Sequence, residues 1–214
     1  MNIKIKICGM LEKENIRQVA ELNPDMLGFI FYPSSPRYAG NTDPAILNDI
    51  PQGIIKTGVF VNSSFDQITG TVSKYSLDMV QLHGKETPEF CLRIKETGIP
   101  VIKAFGPADD FDFNECSKYI SSTDYFLFDT LVSGYGGSGR KFDWKVLDQY
   151  TFQHPFILSG GIGPGDTESI ALIKNSELRG VDINSRFEIK PGEKDVTLLR
   201  DFISELRHKA NHYE

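Results

Sequence analysis

The sequence predicts an α/β chain closed into a single (β/α)8 barrel, on three observations. Eight short apolar segments alternate with polar or amphipathic stretches of helical length along the 214 residues. Several of those segments carry polar residues at alternate positions near their C-terminal ends, where parallel strands covered on both faces otherwise read as almost continuously apolar. A paired-glycine turn follows the seventh segment and a short polar turn the eighth, the places where such barrels build anion sites.

The strands are expected over 3–7, 26–31, 55–61, 79–82, 101–105, 125–128, 155–158 and 180–183. In the first, Ile3, Ile5 and Ile7 share one face, so Lys4, Lys6 and Cys8 share the other. Helices are expected between and after the strands, over 12–22, 43–50, 64–75, 87–97, 113–119, 143–150, 166–173 and 195–208. Thr42-Asp43-Pro44 and Thr87-Pro88 each place a capping residue before a proline suited to the first helical position. Eight βα units with right-handed crossovers fit a compact barrel, whereas an open doubly wound sheet typically uses five or six strands.

Composition bounds the function. No shift in composition and no linker-like run divides the chain, so residues 1–214 are expected to form one domain. Hydrophobic residues at 40% with 24% charged are ordinary globular values, and a net charge of -6 argues against nonspecific nucleic-acid binding. A small anionic substrate remains compatible if the positive groups are local. The three cysteines, at 8, 91 and 116, have neither metal-ligand spacing nor a paired pattern, which points to a reducing compartment. No signal-peptide order and no membrane-length apolar run is present, so a cytoplasmic, soluble protein is expected.

The polar strand ends are Lys6 and Cys8, Gln81 and His83, Lys103, Asp129, Asp182 and Asn184. Their convergence at one end of a barrel describes a site, because scattered buried polar groups would each carry a desolvation cost without a common reason. Lys6, two residues before Cys8 on one face, is expected to favour the thiolate. Asp129 ends the apolar run Tyr125-Phe126-Leu127-Phe128, and desolvation there makes a carboxyl group a candidate proton donor. Ser159-Gly160-Gly161-Ile162 and Asn184-Ser185-Arg186-Phe187 are candidate phosphate loops. Gly134-Tyr135-Gly136-Gly137-Ser138-Gly139 meets the letter of a dinucleotide fingerprint, but no strand directly precedes it and no helix opens within it. It reads as a lid over 131–141, or as a plain surface loop. Arg37, in Ser34-Ser35-Pro36-Arg37-Tyr38, could grip a carboxylate bidentately.

With these elements assembled, the chain resembles the phosphoribosylanthranilate isomerase family of tryptophan biosynthesis. The resemblance runs through Lys6-Ile7-Cys8-Gly9, Gly28-Phe29-Ile30-Phe31-Tyr32-Pro33, Ser35-Pro36-Arg37-Tyr38, Gly58-Val59-Phe60-Val61-Asn62 and Val80-Gln81-Leu82-His83-Gly84. It continues through Asp129-Thr130, Gly136-Gly137-Ser138-Gly139, Phe142-Asp143-Trp144, Ser159-Gly160-Gly161-Ile162, Val181-Asp182-Ile183-Asn184-Ser185 and Pro191-Gly192 with Lys194-Asp195. It implies an Amadori rearrangement of N-(5-phosphoribosyl)anthranilate without metal or cofactor, with Cys8 as general base and Asp129 as general acid. Arg37 would hold the anthranilate carboxylate, and backbone amides of Gly160, Gly161, Ser185 and Arg186 the phosphate; Gln81, His83 and Asp182 complete the expected substrate contacts. The expected partner is this small phosphosugar, with no nucleic acid and no membrane. Two positions depart from the family pattern: Arg186 stands where Gly is usual, and Arg140 where Lys is usual. A side chain at 186 would restrict the loop if a positive φ is used there.

Rival readings make distinct demands. An indole-glycerol-phosphate synthase would carry a longer N-terminal extension and a Lys/Glu set. A ribulose-phosphate epimerase would need metal-binding His and Asp on the strands, yet only His83 lies at a strand end. A noncatalytic phosphosugar sensor would lack Cys8 or Asp129, and both are present.

Overall fold

The computed structural model describes residues 3–107, 111–130 and 143–212. Eight parallel strands close on themselves in sequence order: β1 (Lys4–Cys8), β2 (Met26–Ile30), β3 (Ile55–Phe60), β4 (Met79–Leu82), β5 (Val101–Phe105), β6 (Tyr125–Phe128), β7 (Phe156–Leu158) and β8 (Leu178–Ile183). The seam is sealed by β8 pairing with β1, where Lys6 faces Asp182 in register. The α-helices are α1 (Lys13–Ala20), α2 (Phe65–Tyr75), α3 (Pro88–Lys95), α4 (Asn114–Ser117), α5 (Thr167–Ala171) and α6 (Val196–His212). This is the (β/α)8 barrel expected, and β4, β5 and β6 match their predicted bounds residue for residue.

Strand parity organises the packing. Ile5 and Ile7 of β1, Phe126 and Phe128 of β6, and Phe156 and Leu158 of β7 point outward to the helices. Met26, Met79, Ile102, Ala104, Leu127 and Ile157 fill the barrel's interior as a separate small core. Phe128 packs against Tyr150, Phe156 and Phe113 with ring centroids 5.3, 5.3 and 5.4 Å apart. That aromatic cluster fixes the strand from which Asp129 emerges.

Parity also corrects one expectation. Lys103 belongs to the outward set of β5, so its ammonium does not join the inner polar group. It bonds instead to Glu86 Oε2 at 3.1 Å and to the carbonyls of Leu82, Gly84 and Ala104. Glu86 in turn accepts from the amides of Asn62 and Gly84, at 2.8 and 2.9 Å, and so ties off the ends of β3 and β4.

Two crossovers expected as α-helices are 310 turns, Pro44–Leu47 and Trp144–Gln149. In the first, Asp43 caps the start by accepting from the Ala45 amide, and Pro51 stops propagation by disfavouring helical geometry at Ile50. In the second, the chain turns extended at Tyr150, whose ring joins the aromatic cluster and whose hydroxyl donates to the His154 carbonyl at 2.7 Å. After β8 lies an antiparallel hairpin, β9 (Glu188–Lys190) and β10 (Glu193–Lys194), which the sequence reading did not foresee. No helix among the described residues is long and apolar enough to cross a membrane.

Candidate active site

Side chains on the inner face of a parallel strand point into the barrel, and those at the C-terminal end reach its mouth. Cys8 ends β1, Asp129 follows β6, and Gln81 and His83 lie at the end of β4. All four line one cavity of about 210 Å³. Arg37, Gly160, Gly161, Asp182 and Ser185 line the same cavity, so nine of the ten expected site residues meet there. Arg186 does not: it is exposed and absent from the cavity wall. The expected strain at 186 is absent too, because Arg186 lies in a 310 turn (Ser185–Phe187) and is not among the positive-φ residues. The glycine-rich segment 134–139, the lid expectation for 131–141 and Arg140 lie outside the described residues.

At the floor of the cavity Lys6 and Asp182 form a buried ion pair, Nζ to Oδ1 at 2.9 Å. Burial alone would lower the Lys6 pKa, but Asp182 and Cys8 together raise it, so Lys6 is held as an ammonium. Burial has the opposite consequence for Cys8. It pushes the thiol up, and the pulls of Lys6 and Lys194 toward the thiolate, with Asp182 opposing, do not overcome it. Lys6 does pull Cys8 toward the thiolate, as expected, but burial outweighs that pull, so the thiol holds its proton more firmly than an ordinary cysteine.

This sets an expected pH dependence. The thiolate is the alkylating nucleophile, so the rate of Cys8 modification should climb about tenfold per pH unit and go on rising beyond about pH 8.5, where an ordinary cysteine levels off. Cys91 and Cys116 are buried, and burial pushes each up to about 12, so they serve as slow internal references. Peptide mass mapping after timed iodoacetamide exposure gives the three rates; a Cys8 plateau below about pH 8 would contradict the argument.

Asp129 is set differently. Its side chain is 21% exposed, so it is only partly withdrawn from water. Its Oδ1 accepts from the Thr130 amide at 2.8 Å, and its Oδ2 lies 3.4 Å from His83 Nε2. Gln81 Nε2 lies 2.9 Å from His83 Nδ1. With the amide donating, Nδ1 accepts and the ring hydrogen sits on Nε2, facing Asp129. Gln81 Oε1 is left buried and without a partner among the described residues, so this amide has the alternative of turning over.

The wall beside Asp129 is backbone. Gly160 and Gly161 follow β7 with φ of +90° and +67°. A Cβ at Gly160 would stand 2.4 Å from Thr130 Oγ1 and 2.5 Å from its amide nitrogen, so only glycine lets this turn close against the segment carrying Asp129. On another side, Pro36 and the Ser35 hydroxyl, which accepts from the Arg37 amide at 3.1 Å, shape the loop presenting Arg37. The Arg37 guanidinium reaches the cavity already bonded to Glu188, Nε to Oε1 at 2.8 Å and Nη2 to Oε2 at 2.5 Å. Sequence reading missed Glu188 and Lys194 as neighbours of the site. The signal was the Pro191-Gly192 dipeptide, which marks a turn between two short polar strands. Among the described residues no cluster of three or more His, Cys, Asp or Glu could hold a metal ion.

Comparison with known proteins places this cavity in a family context. Residues 5–205 match the family model described as N-(5'phosphoribosyl)anthranilate (PRA) isomerase. The N-(5'-phosphoribosyl)anthranilate isomerase of Parabacteroides distasonis is 44% identical over 208 residues, covering 96% of this chain and 94% of that one. Among solved structures, phosphoribosyl anthranilate isomerase from Thermotoga maritima superposes with a TM-score of 0.86 at 34% identity, over 96% of this chain and 99% of that one. A phosphoribosyl anthranilate isomerase in complex with reduced 1-(o-carboxyphenylamino)-1-deoxyribulose 5-phosphate gives 0.83 at 32% identity, with the same coverages of 96% and 99%.

Proposed function

The chain belongs to the N-(5'-phosphoribosyl)anthranilate isomerase family, and from that premise we propose how its own residues carry the reaction. It is an aldose-ketose isomerase that converts N-(5'-phosphoribosyl)anthranilate to 1-(2-carboxyphenylamino)-1-deoxyribulose 5-phosphate in tryptophan biosynthesis. The assignment of roles rests on one observation: a thiol, a carboxyl group, an arginine, the paired glycines after β7 and the Asn184-Ser185 turn after β8 line a single cavity at the C-terminal end of the barrel.

In the proposed sequence, Asp129 donates a proton to the furanose ring oxygen as the C1–O bond breaks, and the anilino nitrogen's lone pair forms the C1 iminium. The Cys8 thiolate then removes the C2 proton, and the C–H electron pair closes the C1–C2 double bond and returns the nitrogen lone pair. The resulting enolamine tautomerises to the ketone, so the atoms of substrate and product are the same. Lys6 stays an ammonium beside the sulfur and lowers the cost of forming the thiolate in a buried site. Asp182, with one oxygen on Lys6, offers the other to a sugar hydroxyl. His83, backed by Gln81, steers the Asp129 carboxyl group, and the amides of Gly160, Gly161 and Ser185 take the phosphate. Arg37 takes the anthranilate carboxylate. Three free cysteines fit a reducing compartment, and we assign the enzyme to the cytoplasm.

The test is a structure with the reduced product analogue bound, paired with fluorescence-detected consumption of the anthranilate substrate. The expected pose places the aryl carboxylate on Arg37 and the phosphate on the turn at 160–161 and on Ser185. A reversed pose, or turnover without occupancy of this cavity, would falsify the assignment.

A further inference from the structure

Arg37 is not a lone cation on the cavity wall. Glu188, whose side chain is only 4% exposed, accepts from Arg37 Nε and Nη2, from Lys194 Nζ at 2.8 Å and from the Gly192 amide at 3.1 Å. Lys194, itself fully buried, also donates to Asn184 Oδ1 at 2.7 Å, directly before the Ser185 turn. Asn15 anchors the same β10 residue by exchanging two bonds with the Lys194 backbone, at 2.8 and 2.9 Å. The chain Arg37–Glu188–Lys194–Asn184 therefore links the loop after β2 to the loop after β8. Both of its ends pack on Gly9, where an added Cβ would stand 2.6 Å from Arg37 Cδ and 2.7 Å from Asn184 Oδ1.

A carboxylate placed behind an anion-binding arginine needs a reason, since its charge opposes the anion to be bound. Glu188 is held ionised: burial alone would raise its pKa, but the hydrogen bonds from Arg37 and the pull of Lys194 lower it. The reason lies in direction. Glu188 occupies two of the three guanidinium nitrogens, and Nη1 is the one without a partner among the described residues. An arginine left to itself samples many rotamers; one clamped on its far side presents a fixed donor.

We propose that Glu188 and Lys194 are positioning residues, which aim Arg37 Nη1 at the substrate's aryl carboxylate. The inference rests on the assignment of Arg37 to that carboxylate made above. Specificity for a carboxylated aryl group then depends on two residues that never touch the substrate.

Electrostatics and positioning predict opposite signs for Glu188→Gln. Removing a negative charge beside an anion subsite strengthens anion binding if charge alone matters; losing the clamp weakens it if direction matters. The experiment is calorimetric titration of wild type, Glu188→Gln and Lys194→Met with two ligands, the reduced product analogue and its counterpart lacking the aryl carboxylate. Wild type should prefer the carboxylated ligand by roughly tenfold to a hundredfold, as for a charged hydrogen bond. Both variants should bring that ratio to about threefold or less while binding the phenyl ligand as wild type does, which also reports an intact fold. A ratio kept or increased in Glu188→Gln overturns the proposal, as does equal weakening of both ligands, the mark of a merely structural role. If wild type itself shows no preference, the Arg37 assignment fails first and the proposal falls with it.

Discussion

Cys8→Ser should lower turnover by about 10³- to 10⁴-fold while leaving the affinity for the reduced product analogue within about twofold. The substitution keeps the shape of the side chain at the end of β1 and changes its acidity. A serine hydroxyl gives up its proton far less readily than a thiol, so the fraction of enzyme holding a base at position 8 collapses. The geometry argues against a large structural cost. Cys8 is buried over Gly28 of the neighbouring strand, where an added Cβ would stand 2.8 Å from Sγ, so the missing side chain leaves the room the thiol occupies and the smaller hydroxyl fits it without a clash. Lys6 is held by Asp182 at 2.9 Å, a contact that does not pass through position 8. A group that acts only in the transition state should lower kcat and kcat/KM together, which steady-state fluorescence kinetics resolves. Turnover within about tenfold of wild type would move the base to another residue.

The reason this prediction can be drawn so narrowly is that most of the site was legible before the structure. Alternation of Ile3, Ile5 and Ile7 with Lys4, Lys6 and Cys8 fixes which face of the first strand enters the barrel, and period-two patterning is a local property. The same rule, applied strictly, would have excluded Lys103, which sits between the inward Ile102 and Ala104 of β5. Two things were not legible. Helix type in the second and sixth crossovers depends on what surrounds the segment, such as Pro51 or the aromatic cluster that draws Tyr150 out of helical geometry. Glu188 and Lys194 act through contacts to Arg37 and Asn184, and the Arg37–Glu188 contact spans 151 residues of sequence that no periodicity brings together. The thiol of Cys8 shows the same limit in energetic form. Its neighbour Lys6 is readable, but the burial that outweighs Lys6, and the Asp182 that engages it, come only with the closed barrel.

Asp129→Asn is expected to cost about 10²- to 10⁴-fold in kcat, again with the reduced product analogue bound normally. An amide matches the carboxyl group in size and can still accept from the Thr130 amide, now 2.8 Å from Oδ1. The difficulty lies on the other side, where the new NH2 would face His83 Nε2–H, two donors in opposition at a separation now 3.4 Å. Gln81 supplies the remedy. Its Oε1 is buried without a partner among the described residues, so turning the amide over presents an acceptor to His83 Nδ1–H and frees Nε2 to accept from the substituted side chain. The variant therefore keeps both contacts of His83, and what it loses is a proton that can be delivered to the ring oxygen. Combining the change with Gln81→Glu separates the two effects. A carboxylate at 81 accepts from Nδ1–H without any turning, so it should leave the rate of Asp129→Asn low if the loss is chemical. Recovery of activity in the double variant would show that His83 orientation, not proton donation by Asp129, limits the enzyme.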